Sequence, residues 1–119
     1  MHPLIESLIE GGPVVTDGSW GTQMQKRGLG RGECPDSWNL SHPEKVKEVA
    51  QQYVDAGSQI ILTNTFGSNR LALSHHELGD QAVEINMAGV QISKKAAGKQ
   101  AYVFASIGPS GKMLVTGDT

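Results

Sequence analysis

Three short runs in the sequence share one chemical character. Asp17-Gly18-Ser19-Trp20-Gly21, Thr63-Asn64-Thr65-Phe66-Gly67 and Ser106-Ile107-Gly108-Pro109-Ser110-Gly111 each combine small polar side chains with glycine. Polar side chains and glycine-exposed backbone amides are what a small polar ligand needs, provided they converge on one pocket. Each run follows or closes an apolar stretch: Val14-Val15-Thr16, Ile60-Ile61-Leu62 and Phe104-Ala105-Ser106. The spacing is regular, 46 residues from Asp17 to Thr63 and 43 from Thr63 to Ser106. One such loop serves only to reverse the chain, whereas three in register predict a shared pocket. The remaining candidates for chemistry are thin. Cys34 is the single cysteine, so neither an intrachain disulfide nor a cysteine-only metal cage is expected. His75 and His76 are adjacent, and neighbours on a helix face different directions, so they read as a solvated helix end. Within this chain the reading assigns no catalytic group and no metal ligand.

The elements that must position these loops follow from apolar periodicity. Pro3 to Glu10 reads as a leading helix with Leu4, Ile5, Leu8 and Ile9 at helical spacing, ended by Gly11-Gly12. Pro13 to Thr16 reads as a short buried strand and residues 20–27 as a short helix. Gly28 to Pro35 is a glycine-rich loop. Ser41 or His42 is the expected cap of a helix that begins at Pro43 and carries Val46, Val49, Ala50, Tyr53 and Val54, with Gly57 as its stop. Gln59 to Thr63 is the second strand. A helix from about Ser68 to His76 and a longer one from Asp80 to Ala97 lead, past Gly98, into a third strand, Ala101 to Ser106. Trp20 and Trp38 read as packing residues. Lys94, Lys95 and Lys99 complement a helix C-terminus. Strands alternating with amphipathic helices predict a parallel α/β sheet with right-handed crossovers. Ligands of such folds sit beyond the carboxyl ends of the strands, where the three runs lie.

Charge and hydropathy narrow the function classes. Ten Lys+Arg stand against 12 Asp+Glu, a formal charge of −2, which excludes the basic footprint of a nucleic-acid binder. No stretch approaches 18 apolar residues, so no membrane span is expected. The N-terminal MHPLIESLIEGG lacks a basic region and does not read as a signal peptide. A cytoplasmic location is the resulting expectation.

Longer stretches carry a resemblance. DGSWGTQMQKRGL at 17–29, PDSWNLSHPEKVKEVAQQYVDAGSQIILTNTFGSNR at 35–70 and SIGPSG at 106–111 resemble the homocysteine S-methyltransferase family. That family includes the homocysteine-binding module of methionine synthase and the betaine-homocysteine methyltransferases. The run DAGSQIILTNTFGSN is the most specific part. The resemblance implies a (β/α)8 TIM barrel with parallel strands, a fold that needs about 250 residues. It therefore reads 1–119 as the N-terminal portion of a homocysteine-binding domain, about three βα units long and truncated. The closing run, 112–119, continues without a helix stop.

The same resemblance implies chemistry. Relatives transfer a methyl group to the thiol of homocysteine to give methionine, with Zn2+ held by three cysteines. Those cysteines lie beyond residue 119, and Cys34 matches none of them. Methylcobalamin, S-methylmethionine, S-adenosylmethionine and betaine all serve relatives as methyl donors, and the donor is not legible here. Asp17 matches the family acid near the substrate ammonium, and Gly18 lets the backbone approach the ligand. Thr63 matches a position near the substrate and Phe66 a pocket wall, with Asn64, Thr65 and Ser106 as further strand-end candidates. Two alternatives stand beside this reading: a truncated non-catalytic α/β fragment, and a relative acting on another thiol or methyl donor. A three-stranded piece of a barrel would also leave open sheet edges, so self-association is expected.

Overall fold

The computed structural model describes residues 1–114. Residues 115–119 of the closing run lie outside the described residues. Helix α1 (Pro3–Ile9) starts as its proline requires, with His2 Nδ1 accepting from the Leu4 amide at 3.1 Å. Helix α2 (Trp20–Gln25) is capped by the Ser19 hydroxyl, which accepts from Thr22 N. A 3-10 turn, Pro35–Ser37, then runs into α3 (Trp38–Ser41). The residue before a proline is excluded from the helical region, and His42, at φ −138° and ψ 53°, breaks the path before Pro43. Helix α4 (Pro43–Asp55) therefore begins at the expected residue but without the expected side-chain cap. The Ser41 hydroxyl is instead held by Ser37 O and His42 Nδ1.

Strand β1 (Ile60–Leu62) follows Gly57, whose φ of +101° ends the helix. Helix α5 (Arg70–Ser74) is shorter than the expected 68–76, because Asn69 Oδ1 caps it by accepting from Ala72 N at 2.8 Å. The expected helix 80–97 resolves into a 3-10 turn, Gly79–Gln81, and α6 (Ala82–Ala97), with Lys94 and Lys95 in the last turn. Strand β2 (Tyr102–Phe104) is parallel to β1, in the register Ile60↔Tyr102, Ile61↔Val103 and Leu62↔Phe104.

The parallel α/β arrangement stands, but among the described residues the sheet has two strands where three were expected. The run Pro13 to Thr16 makes a single parallel bridge, Thr16↔Ile60. Its neighbourhood is strand-like: Gln59 N donates to Val15 O at 2.7 Å, and Asp17 N to Ile60 O at 3.0 Å. The ladder cannot extend, because Pro13 has no N–H and Val15 N is taken by the Gln59 side chain at 2.9 Å. The strands 59–63 and 101–106 also prove shorter than expected, for a reason that belongs to the site.

The core forms where the helices meet this sheet. Met24, Leu29, Trp38, Val46 and Val49 join α2, α3 and α4. Ala50, Val54, Ile61, Ala96 and Ala97 join α4, β1 and α6, while Cys34, Leu73 and Ile85 form a third cluster. Trp20 packs against the first two clusters from a partly buried position. Small residues on α6 allow close approach to the sheet, and the Ser93 hydroxyl donates to Leu62 O at 2.9 Å. Along the opposite face of α6, Val83, Met87 and Val90 remain exposed.

Each indole is anchored by an acid. Trp38 Nε1 donates to Glu33 Oε2 at 2.6 Å, and Gly30 N donates to the same carboxylate. The Gly30 amide first, and the Trp38 indole second, hold the Glu33 carboxyl below its ordinary 4.5. A carboxyl depressed in the folded state contributes stability above its ordinary value and loses it as pH falls through the folded value. Acid titration followed by Trp38 emission should thus show a transition below the ordinary carboxylate range that Glu33→Gln abolishes. An identical acid transition in the variant would assign it to other carboxyls.

Candidate functional site

Beyond the carboxyl end of β1 lies a cavity of about 450 Å3, bordered by Trp20, Cys34, Asp36, Asn64, Phe66 and His76 among others. A smaller one, about 60 Å3, lies against Thr65, Phe66, Ser106 and Gly108. Of the sequence-predicted residues, Asn64 and Phe66 border the larger space and Thr65, Phe66 and Ser106 the smaller, whereas Asp17, Gly18 and Thr63 border neither.

Asp17 is half-buried, and its Oδ2 accepts from Leu62 N and from Trp20 Nε1, both at 2.7 Å. One oxygen thus ties the first loop to β1. Among the described residues the other, Oδ1, accepts no donor, and no acceptor takes the Gly18 amide. Gly18 packs closely on a neighbour: a Cβ there would stand 3.1 Å from the Tyr53 hydroxyl, which donates to Ser19 O at 2.6 Å. Burial, and then the charge of Asp17, push the Tyr53 phenol up.

Thr63, Thr65 and Ser106 form a closed ring. Ser106 N donates to Thr63 Oγ1 at 3.1 Å, the two threonine hydroxyls lie 2.6 Å apart, and Thr65 Oγ1 donates to Ser106 O at 2.8 Å. The Thr65 proton goes to Ser106 O, so Thr63 must donate to Thr65. This ring replaces the last rung of the ladder, which is why β1 stops at Leu62 and β2 at Phe104. Thr63 and Thr65 are 3% and 5% exposed. Their hydroxyls are engaged with the strand ends, and Thr63 borders a separate groove of about 370 Å3 beside Val90 and Lys94.

Asn64 borders the larger cavity, but its amide is occupied. Nδ2 donates to Pro35 O at 3.0 Å and to Asn39 Oδ1 at 2.9 Å. Asn39 in turn donates to Asn64 O at 2.8 Å and to Ile85 O at 3.0 Å. Phe66 is 63% exposed and walls both spaces. A Cβ at Gly108 would overlap the Phe66 carbonyl oxygen, so the second and third loops touch only because residue 108 is glycine.

Sequence reasoning missed Asp36 and Asn39, which are 5% and 2% exposed. No local signal marks them, because their partners lie in distant parts of the chain. Cys34 is buried beside them, and desolvation is the main cause that pushes its thiol up. His76 is exposed and borders the cavity. Among the described residues no group of three His, Cys, Asp or Glu side chains could hold a metal ion. A three-cysteine zinc site therefore does not fit the residues present. Nor is any described helix long and apolar enough to cross a membrane.

The homocysteine S-methyltransferase family model matches residues 14–119. The methionine synthases of Mycobacterium leprae and Mycobacterium tuberculosis are each 29% identical, over 128 and 118 residues, covering 98% and 89% of this chain. The chain spans only 10% of either relative. Its structure is similar to that of the homocysteine methyltransferase MmuM from Escherichia coli. The metallated form gives a TM-score of 0.76 at 22% identity, over 90% of this chain and 42% of that one. The oxidized form gives 0.74 at 20% identity, over 88% and 41%. At such identities the likeness concerns the fold.

Proposed function

Because the chain belongs to the homocysteine S-methyltransferase family, we propose that it is the N-terminal portion of a domain that methylates the thiol of homocysteine to give methionine. Its two parallel strands are then the second and third of a (β/α)8 barrel, with the Thr16 bridge marking the first. The observation that carries the reading is the pairing, at one strand end, of the open Asp17 Oδ1 with the unclaimed Gly18 amide. A carboxylate and an adjacent N–H are the two halves of an amino-acid grip, one for the ammonium and one for the carboxylate of the ligand. Phe66 supplies an apolar wall for the side chain.

Sulfur attacks a methyl donor as the thiolate, and a bound zinc ion would supply that deprotonation in the complete domain. None of the residues present fits that metal, so the chain alone is inactive on this reading. The methyl donor, methylcobalamin or another, is not assigned to any residue present. Self-association through the open edges, and a cytoplasmic setting, belong to the same proposal.

In a complete domain carrying residues 1–119, Asp17→Asn should weaken homocysteine binding by about 1.5–3 kcal/mol, the range for a hydrogen bond to a charged group. Zinc content should not change, since Asp17 is assigned to the amino-acid end. Isothermal titration with homocysteine is the measurement. An unaltered affinity would leave Asp17 with only its role of tying the first loop to β1.

A further inference from the structure

Asp36 is buried on the 3-10 turn that enters α3, with none of the described cations paired to it. Its Oδ2 accepts from the Gly67 amide at 3.0 Å and from the Ser68 hydroxyl, 31 and 32 residues further along. The carboxylate lies against the bare Cα of Gly67, where a Cβ would stand 3.2 Å from Oδ1. Pro35, the preceding residue, accepts from Asn64 Nδ2. One turn thus grips both ends of the segment 64–68, and Phe66 stands between the grips with its ring at the cavity wall.

Burying an ionised carboxylate is costly unless its oxygens find donors. A neutral side chain would join two loops at less expense. A charge held on two donors of one loop fixes that loop more firmly than a neutral contact would, because charge-assisted hydrogen bonds are shorter and stronger. The geometry points to Asp36 as a positioning residue for substrate binding: by clamping Gly67 and Ser68 it fixes the backbone that carries Phe66, the apolar wall offered to homocysteine. This inference rests on the proposed function given above, in which Phe66 walls the substrate. Asp36 acts through Phe66 and takes no part in the transfer itself.

The test uses a complete domain carrying residues 1–119, with Asp36→Asn as the shape-conserving variant and Asp36→Ala as the severe one. Asp36→Ala should raise KM for homocysteine about tenfold or more while kcat at saturating homocysteine stays within about threefold, a split that marks lost binding. Amide hydrogen exchange at residues 66–68 should quicken in parallel, without homocysteine present. Ser68→Ala, which removes one donor, should move both readouts the same way by less. A raised KM without faster exchange would mean that the carboxylate touches the substrate itself, and overturns the inference. Faster exchange with unchanged KM overturns it too, leaving a clamp of no consequence for binding. No homocysteine-dependent turnover in the unaltered domain would overturn the functional reading along with it, whereas an unchanged KM in an active domain overturns this inference alone.

Discussion

Asn39→Asp is expected to destabilise the chain by about 3–5 kcal/mol, the range for breaking a buried polar network. Asn39 is 2% exposed, and both protons of its amide are spent on carbonyls, Asn64 O at 2.8 Å and Ile85 O at 3.0 Å. Its Oδ1 accepts from Asn64 Nδ2. The substitution keeps the shape and reverses the chemistry. An oxygen would face two carbonyl oxygens at hydrogen-bond distance, and an ionised one would carry charge into a site without a cation. Protonation restores a single donor, so the loss should shrink as pH falls. Domains of this kind hold only about 5–15 kcal/mol in total, so much of the fold is at stake. Urea denaturation followed by circular dichroism is the measurement. A loss below about 1 kcal/mol, the scale of one ordinary hydrogen bond, would mean that the network rearranges around the new group.

Gly89→Ala is expected to destabilise by about 2–3 kcal/mol, at the upper end for overpacking a close-fitted interior. The sign is the informative part. Inside a helix, alanine ordinarily improves on glycine by about 1 kcal/mol. At position 89 the added Cβ would stand 2.7 Å from Thr65 Cγ2 and 2.8 Å from Asn39 Nδ2. Helix α6 passes α3 and the loop after β1 at this point, and the missing side chain is what allows it. Gly21 in α2 offers the control, since a Cβ there meets nothing within 4 Å. Gly21→Ala should therefore stabilise by about 0.5–1 kcal/mol, as propensity alone dictates. Thermal melts of the two variants side by side decide the matter, and a reversed order would refute the close approach of α6 to the loop.

The helices were legible because their information is local. Val46, Val49, Ala50 and Val54 repeat at helical spacing and are all buried, so α4 could be read nearly to its ends. Ile60-Ile61-Leu62 and Tyr102-Val103-Phe104 showed themselves as strands by their continuous apolar character. Pro13 to Thr16 has that character too, yet pairing depends on which donors remain free. A proline and the side chain of Gln59, 44 residues distant from Val15, removed them. Thr63 and Ser106 were placed inside strands because threonine and serine are compatible with them, while their ring across 43 residues is invisible locally. Asp17, Gly18 and Phe66 were named from the family resemblance together with their place at strand ends, and their part in binding is a proposal. Asp36 and Asn39 escaped because their partners lie 25 to 46 residues away, and nothing near them in sequence announces a buried acid or amide.

The contact between Gly108 and the Phe66 carbonyl has a mechanical consequence. Two backbones this close leave no room between them, so the second and third strand-end loops pack as one layer. Any side chain at residue 108 would push the Phe66 carbonyl away and strain Ser106, whose two backbone groups are held by Thr63 and Thr65.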